Sequence, residues 1–241
     1  MPKKNGIFKI GGNFLDDKKA LKNIINQLLE LYETKIFDKI VILSGGGKLA
    51  NFIRFSDKTL EIGPDLSHWM AILAMDINGK SISQYAKLNF TMEIYEIKRA
   101  DRIFSVFLPF SFLKNKDELP HDWEVTSDSI ALYLCQEMEF NECYLIKEVD
   151  GVLLKNGRLK KNLTTEEYER LKKEKKLIPI KSELKESQPI DQYLTRIIDK
   201  FKIPCIILNG NKRKIINFFK SGKKEGTNIL FTKLNPRKSA N

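Results

Sequence analysis

The stretch IFKIGGN, residues 7–13, runs from a buried-strand pattern into two glycines just before a helical pattern. Glycine permits positive φ and close backbone approach, so successive N–H groups in such a turn can point at an anion. Lys9 would add a positive charge at the end of the strand. The stretch predicts a phosphate-binding turn at Lys9, Gly11 and Gly12, although an ordinary Gly-Gly turn beside a lysine has the same pattern.

A second glycine stretch, SGGGK at residues 44–48, follows another strand-like run. It is not a P-loop, because that motif needs glycine in place of Ile42 and Ser or Thr in place of Leu49. Three consecutive glycines lose much conformational entropy on folding, which indicates that a ligand or another backbone needs the room. Open α/β sheets bind ligands at the carboxyl ends of their strands. We therefore expect phosphate contacts from Gly45, Gly46 and Gly47.

The chain alternates short β-branched or aromatic runs with helical patterns, which predicts a mainly parallel sheet. The strand-like runs are 7–10, 39–43, 102–107, 143–149 and 205–208. The helical patterns are 21–32, 49–54, 126–138, 164–171, 190–201 and 215–219, with a stop at Gly222 and a loose tail at 235–241. Right-handed crossovers place helices on both faces of such a sheet. We expect an α/β fold, a three-layer αβα sandwich, over a single domain of residues 1–241.

Composition argues against a membrane protein, a secreted protein, a disulfide-rich protein and a zinc protein. No run of about 18 apolar residues exists, and the N-terminus leads straight into a strand pattern, so we expect neither a membrane span nor a signal peptide, and a cytoplasmic location. Three cysteines without CxxC spacing and two histidines argue against a disulfide framework or a zinc cage. We therefore expect buried free thiols and no metal held by a protein cage.

The formal net charge is +11, which raises the possibility of nucleic-acid binding. The basic residues crowd into 155–185 and 212–224, but glutamates are mixed among them, as on the solvated face of lysine-rich helices. We expect no nucleic-acid partner. A small anionic substrate or a nucleotide would benefit from the same positive field.

Three further segments carry a resemblance when read in order with the two glycine loops: TSDSIA at 126–131, VDGV at 149–152 and EGT at 225–227. Alone, Asp128 could simply stabilise the first turn of a helix, and Asp-Gly is only a turn signal. Together the segments resemble the amino acid kinase superfamily over nearly the whole chain. The resemblance implies an acceptor-side lobe at 1–141, a nucleotide-side lobe at 142–241, and a homo-oligomer assembled through helices of the N-terminal half.

The resemblance also implies a reaction, the transfer of the ATP γ-phosphoryl group, with Mg²⁺ held chiefly by the phosphates and water. Lys9 would bridge the transferred group, and Asp128 would orient Lys9 rather than act as a base. The backbone N–H groups of the glycine loops would stabilise the same group. The resemblance also implies Asp150 and Gly151 on the nucleotide side. Isopentenyl phosphate kinases present a histidine soon after the triple glycine, where this chain has Lys48 and Arg54 instead. We expect these two cations to line the acceptor pocket, although Arg54 could also be a surface helix residue.

Within the superfamily, the segments 68–76, 119–129 and 189–194 resemble the kinases that act on an aminomethylfuran-methyl phosphate in methanofuran biosynthesis. That resemblance implies a phosphomonoester acceptor, and Trp69 and Trp123 could face its ring or pack in the core. Two alternatives stay open. One is another kinase of the superfamily, acting on uridylate, isopentenyl phosphate or a carboxylate; the other is a non-catalytic protein that binds a nucleotide or an oxyanion.

One departure from the family pattern concerns a second catalytic lysine, which many members carry after a Gly-Met-type segment. The corresponding segment here, 187–191, has neither that glycine nor a lysine. Arg196, Lys181 and Lys185 are candidate replacements, and the sequence does not choose among them.

Overall fold

The computed structural model describes residues 4–181, 186–221 and 225–232. Its centre is an eight-stranded sheet. In chain order the strands of this sheet are β1 Asn5–Ile10, β2 Lys39–Ser44, β3 Phe90–Thr91, β4 Ile103–Phe107, β5 Cys143–Lys147, β8 Asn162–Thr164, β11 Cys205–Asn209 and β12 Thr227–Leu230. Their spatial order is β3-β4-β2-β1-β5-β11-β12-β8. Strand β1 therefore lies in the middle, between β2 and β5.

Every neighbouring pair in this sheet is parallel except β11 and β12, which are antiparallel. The predicted mainly parallel sheet is confirmed, and its five predicted runs are β1, β2, β4, β5 and β11. The reversed strand β12 was not predicted. Because parallel strands end at one edge, the residues that follow β1, β2 and β5 come together there.

Helices cover both faces of the sheet. Helices α1 (Lys18–Glu33) and α9 (Lys214–Lys220) pack with one hydrophobic cluster, and α6 (Ser127–Glu137) and α8 (Leu194–Phe201) with the other. Successive side chains of a strand point to opposite faces, so Phe8 and Ile10 belong to the first cluster and Ile7 to the second. This is the predicted three-layer αβα sandwich.

Two long helices, α2 (Gly47–Leu60) and α3 (Pro64–Ala86), pack against each other, and α3 also packs on β2 and β4. The sequence predicted only the start of α2 and did not predict α3. The apolar residues of α3 surround the helix, with Trp69 and Ile72 buried and Leu73 and Ile77 exposed, so they form no single stripe.

The remaining elements are short and lie around the sheet. They are α4 Ile94–Arg99, α5 Phe110–Lys116, β6 Val152–Leu153, β7 Leu159–Lys160, α7 Thr165–Lys173, β9 Ile180–Lys181 and β10 Glu186–Ser187, with a 3₁₀ turn at Gly12–Asp16. Strands β6 and β7 form an antiparallel hairpin. We expected lysine-rich helices in the region 155–185. The hairpin occupies part of this region, and α7 is a helix within it.

Side-chain hydrogen bonds to backbone N–H groups mark the starts of several helices. Asp17 accepts from Lys19 N at 2.8 Å and begins α1, and Thr164 accepts from Glu167 N at 3.1 Å and begins α7. Helix α8 begins at Leu194 rather than at Ile190, because the Asp191 carboxylate accepts from Leu194 N at 2.8 Å. The expected stop at Gly222 and the expected tail at 235–241 lie outside the described residues.

Cys135, Cys143 and Cys205 are buried free thiols, as expected from their number and spacing. In the part of the chain that the structure describes, no helix is both long and apolar enough to cross a membrane.

Candidate functional site

Two lysines and one aspartate meet at the carboxyl edge of the sheet. Lys9 Nζ, from β1, lies 2.8 Å from Asp128 Oδ1 in the first turn of α6. Lys147 Nζ, from the end of β5, lies 2.6 Å from Asp128 Oδ2. The side chains of Lys9 and Asp128 are almost fully buried, and that of Lys147 is 16% exposed. The structure brings the predicted pair together and adds a cation that the sequence had not indicated.

Burial and charge act against each other in this cluster. Burial alone would raise the pKa of Asp128, but the ammonium groups of Lys147 and Lys9 hold it at about 2. Burial lowers the pKa of Lys9 and Lys147 lowers it further, although Asp128 opposes both. Asp128 is therefore ionised at neutral pH and keeps two cations together in a place that water hardly reaches.

The first turn of α6 is held by a second carboxylate. Thr126 caps the helix, and Asp191 accepts from Thr126 N at 3.0 Å, Thr126 Oγ1 at 2.8 Å, Ser129 N at 3.0 Å and Ser129 Oγ at 2.5 Å. Asp128 lies between these two anchored residues. Its position is thus fixed by hydrogen bonds that connect the starts of α6 and α8.

The two glycine loops touch each other beside this cluster. A Cβ on Gly12 would lie 2.7 Å from Gly47 Cα, and Gly47 has a φ of +55°, so both positions require glycine. Gly11 N donates to Ile146 O at 2.9 Å, and Gly45 N donates to Ile10 O at 2.9 Å. These two predicted phosphate donors are therefore already used by the sheet.

Three other N–H groups of the two loops are not used by the described part of the fold. Among the residues that the structure describes, the N–H groups of Gly12, Gly46 and Gly47 donate to no protein acceptor. Gly12 and Gly47 are each the first residue of a helical turn, where the N–H groups lack intrahelical partners and attract anions. The loops can thus supply three donors to a phosphate next to Lys9.

Asn78 of α3 anchors the triple-glycine loop and was missed by the sequence reasoning. Its Nδ2 donates to Gly45 O and to Gly46 O, each at 2.9 Å. With these carbonyls turned toward α3, the peptide N–H groups on the opposite side of the loop are directed away from it. No local pattern marks Asn78, since it lies mid-helix 32 residues from Gly46.

The residues predicted for the nucleotide side also lie together. Asp150 accepts from Asn209 Nδ2 at 2.8 Å and pairs with Lys214, and these partners hold its pKa below the usual range although burial opposes them. Gly151 has a φ of +136°, and a Cβ there would lie 2.2 Å from Thr227 Oγ1. The predicted VDGV and EGT segments are therefore neighbours beyond the end of β5, on the Lys147 side of the cluster.

A cavity of about 70 Å³ opens between α2, α3 and the segment before α6. Arg54 lines it, with its guanidinium carbon 4.3 Å from the ring centroid of Trp123, and burial lowers the pKa of this arginine. Gly46 and Ser127 line it as well, so the cavity borders the triple-glycine loop and the residue that precedes Asp128. Lys48 is not part of it: its side chain is 77% exposed and pairs with Asp16 at 3.4 Å.

Two stacked histidines stand behind this cavity, with ring centroids 4.5 Å apart. Burial, followed by the charge of His121, lowers the pKa of His68 to about 4, so His68 is neutral at pH 7. Burial also opposes the charge on His121, but hydrogen bonds to Asp65 at 2.8 Å and Asp117 at 2.7 Å raise its pKa. Trp69 packs on both rings and is buried, so it belongs to the core.

The segment expected to hold a second catalytic lysine supplies Asp191 instead. Arg196 is no nearer to that role, because its guanidinium is 68% exposed and lies 3.8 Å from Glu124. Lys185 lies outside the described residues, and the side chain of Lys181 is not described. No group of three or more His, Cys, Asp or Glu residues that could hold a metal ion occurs within residues 4–181, 186–221 and 225–232.

A parallel α/β sheet with glycine loops, two lysines and a carboxylate at one edge defines a phosphate-handling protein of the phosphotransferase class. The sequence profile described as the amino acid kinase family matches residues 7–209. The chain belongs to the amino acid kinase family, and it is a kinase. The family implies ATP as a substrate.

Among curated proteins, the chain is 28% identical over 233 residues to [5-(aminomethyl)furan-3-yl]methyl phosphate kinase of Methanocaldococcus jannaschii, which covers 95% of this chain and 96% of that protein. Solved structures with the same fold include UMP kinase from Bacillus anthracis, at TM-score 0.71 and 17% identity, covering 95% of this chain and 97% of that one. UMP kinase from Ureaplasma parvum gives TM-score 0.69 at 19% identity, with the same coverages of 95% and 97%. These structures establish the fold.

Proposed function

We propose that the protein transfers the γ-phosphoryl group of ATP to a small phosphomonoester, and that this acceptor is an aminomethylfuran-methyl phosphate, which becomes a diphosphate. The observation that carries the proposal is the cluster of Lys9, Asp128 and Lys147. It lies beside two glycine loops with unused N–H donors, one of which borders a cavity lined by Arg54. The curated relative that acts on this phosphate aligns with 95% of the chain. We further propose that residues 1–141 bind the acceptor and residues 142–241 the nucleotide.

The proposed chemistry needs little covalent help from the protein. An acceptor phosphate oxygen attacks the γ-phosphorus, the bond from that phosphorus to the bridging oxygen of ADP breaks, and ADP leaves with the electron pair. Because the second ionisation of a phosphomonoester has a pKa near 6, the attacking oxygen is already ionised at neutral pH and no general base is required. Lys9 and the N–H groups of Gly12, Gly46 and Gly47 stabilise the equatorial oxygens.

Mg²⁺ fits this site as a partner of ATP rather than as an ion held by the protein. The described residues contain no cluster of three or more candidate ligands, and Mg²⁺ commonly keeps waters and binds substrate phosphates. Bound in that way, the ion would neutralise phosphate charge.

We also propose a cytoplasmic location, which the three buried free thiols support because such thiols persist in a reducing compartment.

The residues that line the cavity suit an acceptor with a phosphate at one end and an amine at the other. At about 70 Å³ the cavity is smaller than the roughly 150 Å³ that takes one benzene ring, so it has to widen when the acceptor binds. Arg54 can form paired hydrogen bonds with phosphate oxygens, and Trp123 offers an aromatic surface. Asp122 also lines the cavity, and its Oδ1 accepts from Glu124 N at 2.8 Å and Val125 N at 3.1 Å. Its Oδ2, which has no donor in the described part of the chain, can receive an ammonium group.

Product analysis tests the proposed function. Purified protein is incubated with ATP and Mg²⁺ and, separately, with aminomethylfuran-methyl phosphate, UMP, isopentenyl phosphate and a carboxylate such as acetylglutamate. Phosphorus NMR should show the doublets of a new diphosphate with the furan ester alone. A product from UMP or from a carboxylate would replace the acceptor that we propose. ADP formation that no acceptor stimulates would overturn the transfer reaction itself.

Replacing Arg54 should affect the acceptor and spare ATP. We expect Arg54→Ala to raise the KM for the phosphomonoester by roughly 10- to 100-fold, because charged hydrogen bonds contribute about 1.5–3 kcal/mol each. The KM for ATP should stay within about twofold. Steady-state kinetics with each substrate varied in turn gives both values. Arg99→Ala is the matched control, since it removes another arginine that lies over an aromatic ring, 5.2 Å from the Tyr95 centroid. Equal increases in the KM for the phosphomonoester and the KM for ATP would show that Arg54 does not bind the acceptor specifically.

We propose that the protein forms a homo-oligomer through α2 and α3. Both helices expose apolar side chains at helical spacing: Leu49, Phe52 and Phe55 on α2, and Leu66, Leu73 and Ile77 on α3. Phe52 and Phe55 are 66% and 67% exposed, which is a large apolar surface to leave in water. A second copy of the same surface would cover it.

Light scattering tests the oligomer. After size-exclusion chromatography, the wild-type protein should have a mass of at least twice that of the monomer. The double variant Phe52→Asp, Phe55→Asp should have the mass of a monomer. Tyr95→Asp, at another exposed aromatic on α4, should leave the mass unchanged. A monomeric wild-type protein at micromolar concentration would refute this assembly.

A further inference from the structure

The cluster contains one more cation than the sequence led us to expect. Each lysine ammonium has three N–H donors, and Asp128 has two carboxylate oxygens. Lys9 uses one oxygen at 2.8 Å and Lys147 uses the other at 2.6 Å. Within the part of the chain that the structure describes, Asp128 is the only acceptor of either ammonium, so both lysines retain donors for another anion.

Lys147 is also the more accessible of the two. Its side chain is 16% exposed, against 5% for Lys9, so it reaches the opening of the site. Its Cδ would lie 3.9 Å from a Cβ built on Gly11, which places the side chain along the first glycine loop. Its own backbone carbonyl accepts from Gly210 N at 2.9 Å, which fixes the end of β5.

Lys147 lies near residues that we propose for both substrates. It precedes Asp150 and Gly151 of the nucleotide side by three and four residues, and it faces Lys9, whose Cε would lie 3.4 Å from a Cβ on Gly45 in the loop that borders the acceptor cavity. The transferred phosphoryl group has to pass between those sides. Preorganised cations placed where its oxygens pass lower the barrier, because they need no reorganisation during the reaction.

The segment 187–191 does not compete for this role. Asp191 is directed at the starts of α6 and α8, where five hydrogen bonds from Thr126, Ser129 and Leu194 occupy it. It therefore anchors Asp128 instead of bringing a cation to the site. Lys147, at the end of strand β5, supplies the second positive charge instead.

We propose that Lys147 is a catalytic residue of this chain, the second cation that binds the transferred phosphoryl group, in the place of a lysine that segment 187–191 lacks. This inference rests on the proposed phosphoryl transfer. The Lys147 side chain contacts equatorial oxygens of the γ-phosphate through its free N–H donors. The γ-phosphorus exchanges its bond to ADP for a bond to the acceptor oxygen, and the Asp128 carboxylate keeps the two ammonium groups together at the site.

Lys147→Met tests the proposal, because methionine has a similar length and no charge. We expect kcat to fall by roughly 10- to 100-fold, near the lower range for losing one preorganised donor. We also expect the affinity for a non-hydrolysable ATP analogue to fall about tenfold while the affinity for ADP stays within twofold, since only ATP carries the γ-phosphate. Lys160→Met is the matched control: Lys160 is likewise partly buried and 2.6 Å from a carboxylate, that of Glu167, and lies on β7.

The binding measurement separates this inference from the proposed function. If the wild-type protein turns over none of the phosphate esters, the function fails, but the preference for the ATP analogue over ADP still reports on Lys147. An unchanged preference in Lys147→Met would overturn the role of Lys147 even if the wild-type protein is fully active.

A cysteine variant covers the case in which Lys147→Met folds poorly. Lys147→Cys can be alkylated with bromoethylamine, which rebuilds an ammonium at nearly the original distance, and Cys135, Cys143 and Cys205 are buried and should not react in the folded protein. Aminoethylation should restore kcat at least tenfold, whereas alkylation with neutral iodoacetamide should not. Equal activity of the two alkylated proteins would show that charge at position 147 is not required.

Discussion

Lys9→Ala is expected to lower kcat by roughly 10²–10³ while the protein stays folded, by analogy with the loss of one preorganised charge donor. Lys9 is buried at the end of the central strand, where its ammonium has no bulk water to replace it. The fold should survive because Lys147 remains at 2.6 Å from Asp128, so the carboxylate keeps a buried partner. Single-turnover rates with saturating ATP and acceptor give the effect on the chemical step.

The matched control for Lys9 is Lys98→Ala, which removes a lysine 2.8 Å from Glu139 on the surface. It should change kcat by less than twofold. Circular dichroism and thermal unfolding check that Lys9→Ala is folded. A folded Lys9→Ala protein with the wild-type rate would exclude Lys9 from the reaction.

Asp128→Asn is expected to be comparably damaging, with a loss in kcat on the order of 10²–10³. Asparagine keeps the shape but not the charge, so two ammonium groups would face each other without a counter-ion. The pKa of Lys9 is already lowered by burial, and losing the opposing effect of Asp128 should lower it further. A neutral Lys9 cannot stabilise phosphate charge.

The loss of activity in Asp128→Asn should depend on pH. In Asp128→Asn, Lys9 should regain its proton as the pH falls, so the deficit in kcat should be smaller at pH 6 than at pH 8. Rates measured across this range for the variant and the wild type test it. Asp38→Asn, at the amino end of β2 and 3.7 Å from Arg102, is the control and should show no such trend. A deficit independent of pH would mean that Asp128 does not act through the charge of Lys9.

Stability should respond to pH in the acid range. The folded-state pKa of Asp128, about 2, lies below its usual value of 3.8. A depressed pKa means that the ion pairs stabilise the fold fully above about pH 4, and that this stabilisation is lost as the pH falls toward 2. The urea midpoint of Asp128→Asn should therefore change less between pH 4 and pH 2 than that of the wild type.

The main features of the site were predictable where the chemistry is local. Lys9 and the two glycine loops each combine a strand end, a turn residue and a helix start within a few positions. Because parallel strands end at one edge, the sequence also predicted that the loops meet, and the structure places Gly12 against Gly47. Asp128 was indicated only by resemblance, since an acidic residue in a first helical turn has an ordinary structural explanation.

Lys147 and Asp191 show where prediction from sequence stopped. Lys147 ends a predicted strand and looks like any lysine beside a turn, and its meaning comes from β5 lying next to β1. Asp191 was read as part of a helix, whereas its carboxylate caps that helix and also holds α6, 62 residues away at Ser129. Lys48 was also expected on the acceptor side, and its exposed side chain pairs with Asp16 at 3.4 Å.

By itself, the amino-acid sequence determined the parallel α/β class, the two glycine loops at the strand ends and the buried thiols. These follow from hydrophobic periodicity and from backbone requirements that act within about ten residues. Only the tertiary structure decided which cations share Asp128, which N–H groups remain free and which arginine lines the cavity. Such choices depend on strand order and on distances of a few ångströms between residues far apart in the chain, which local patterns do not specify.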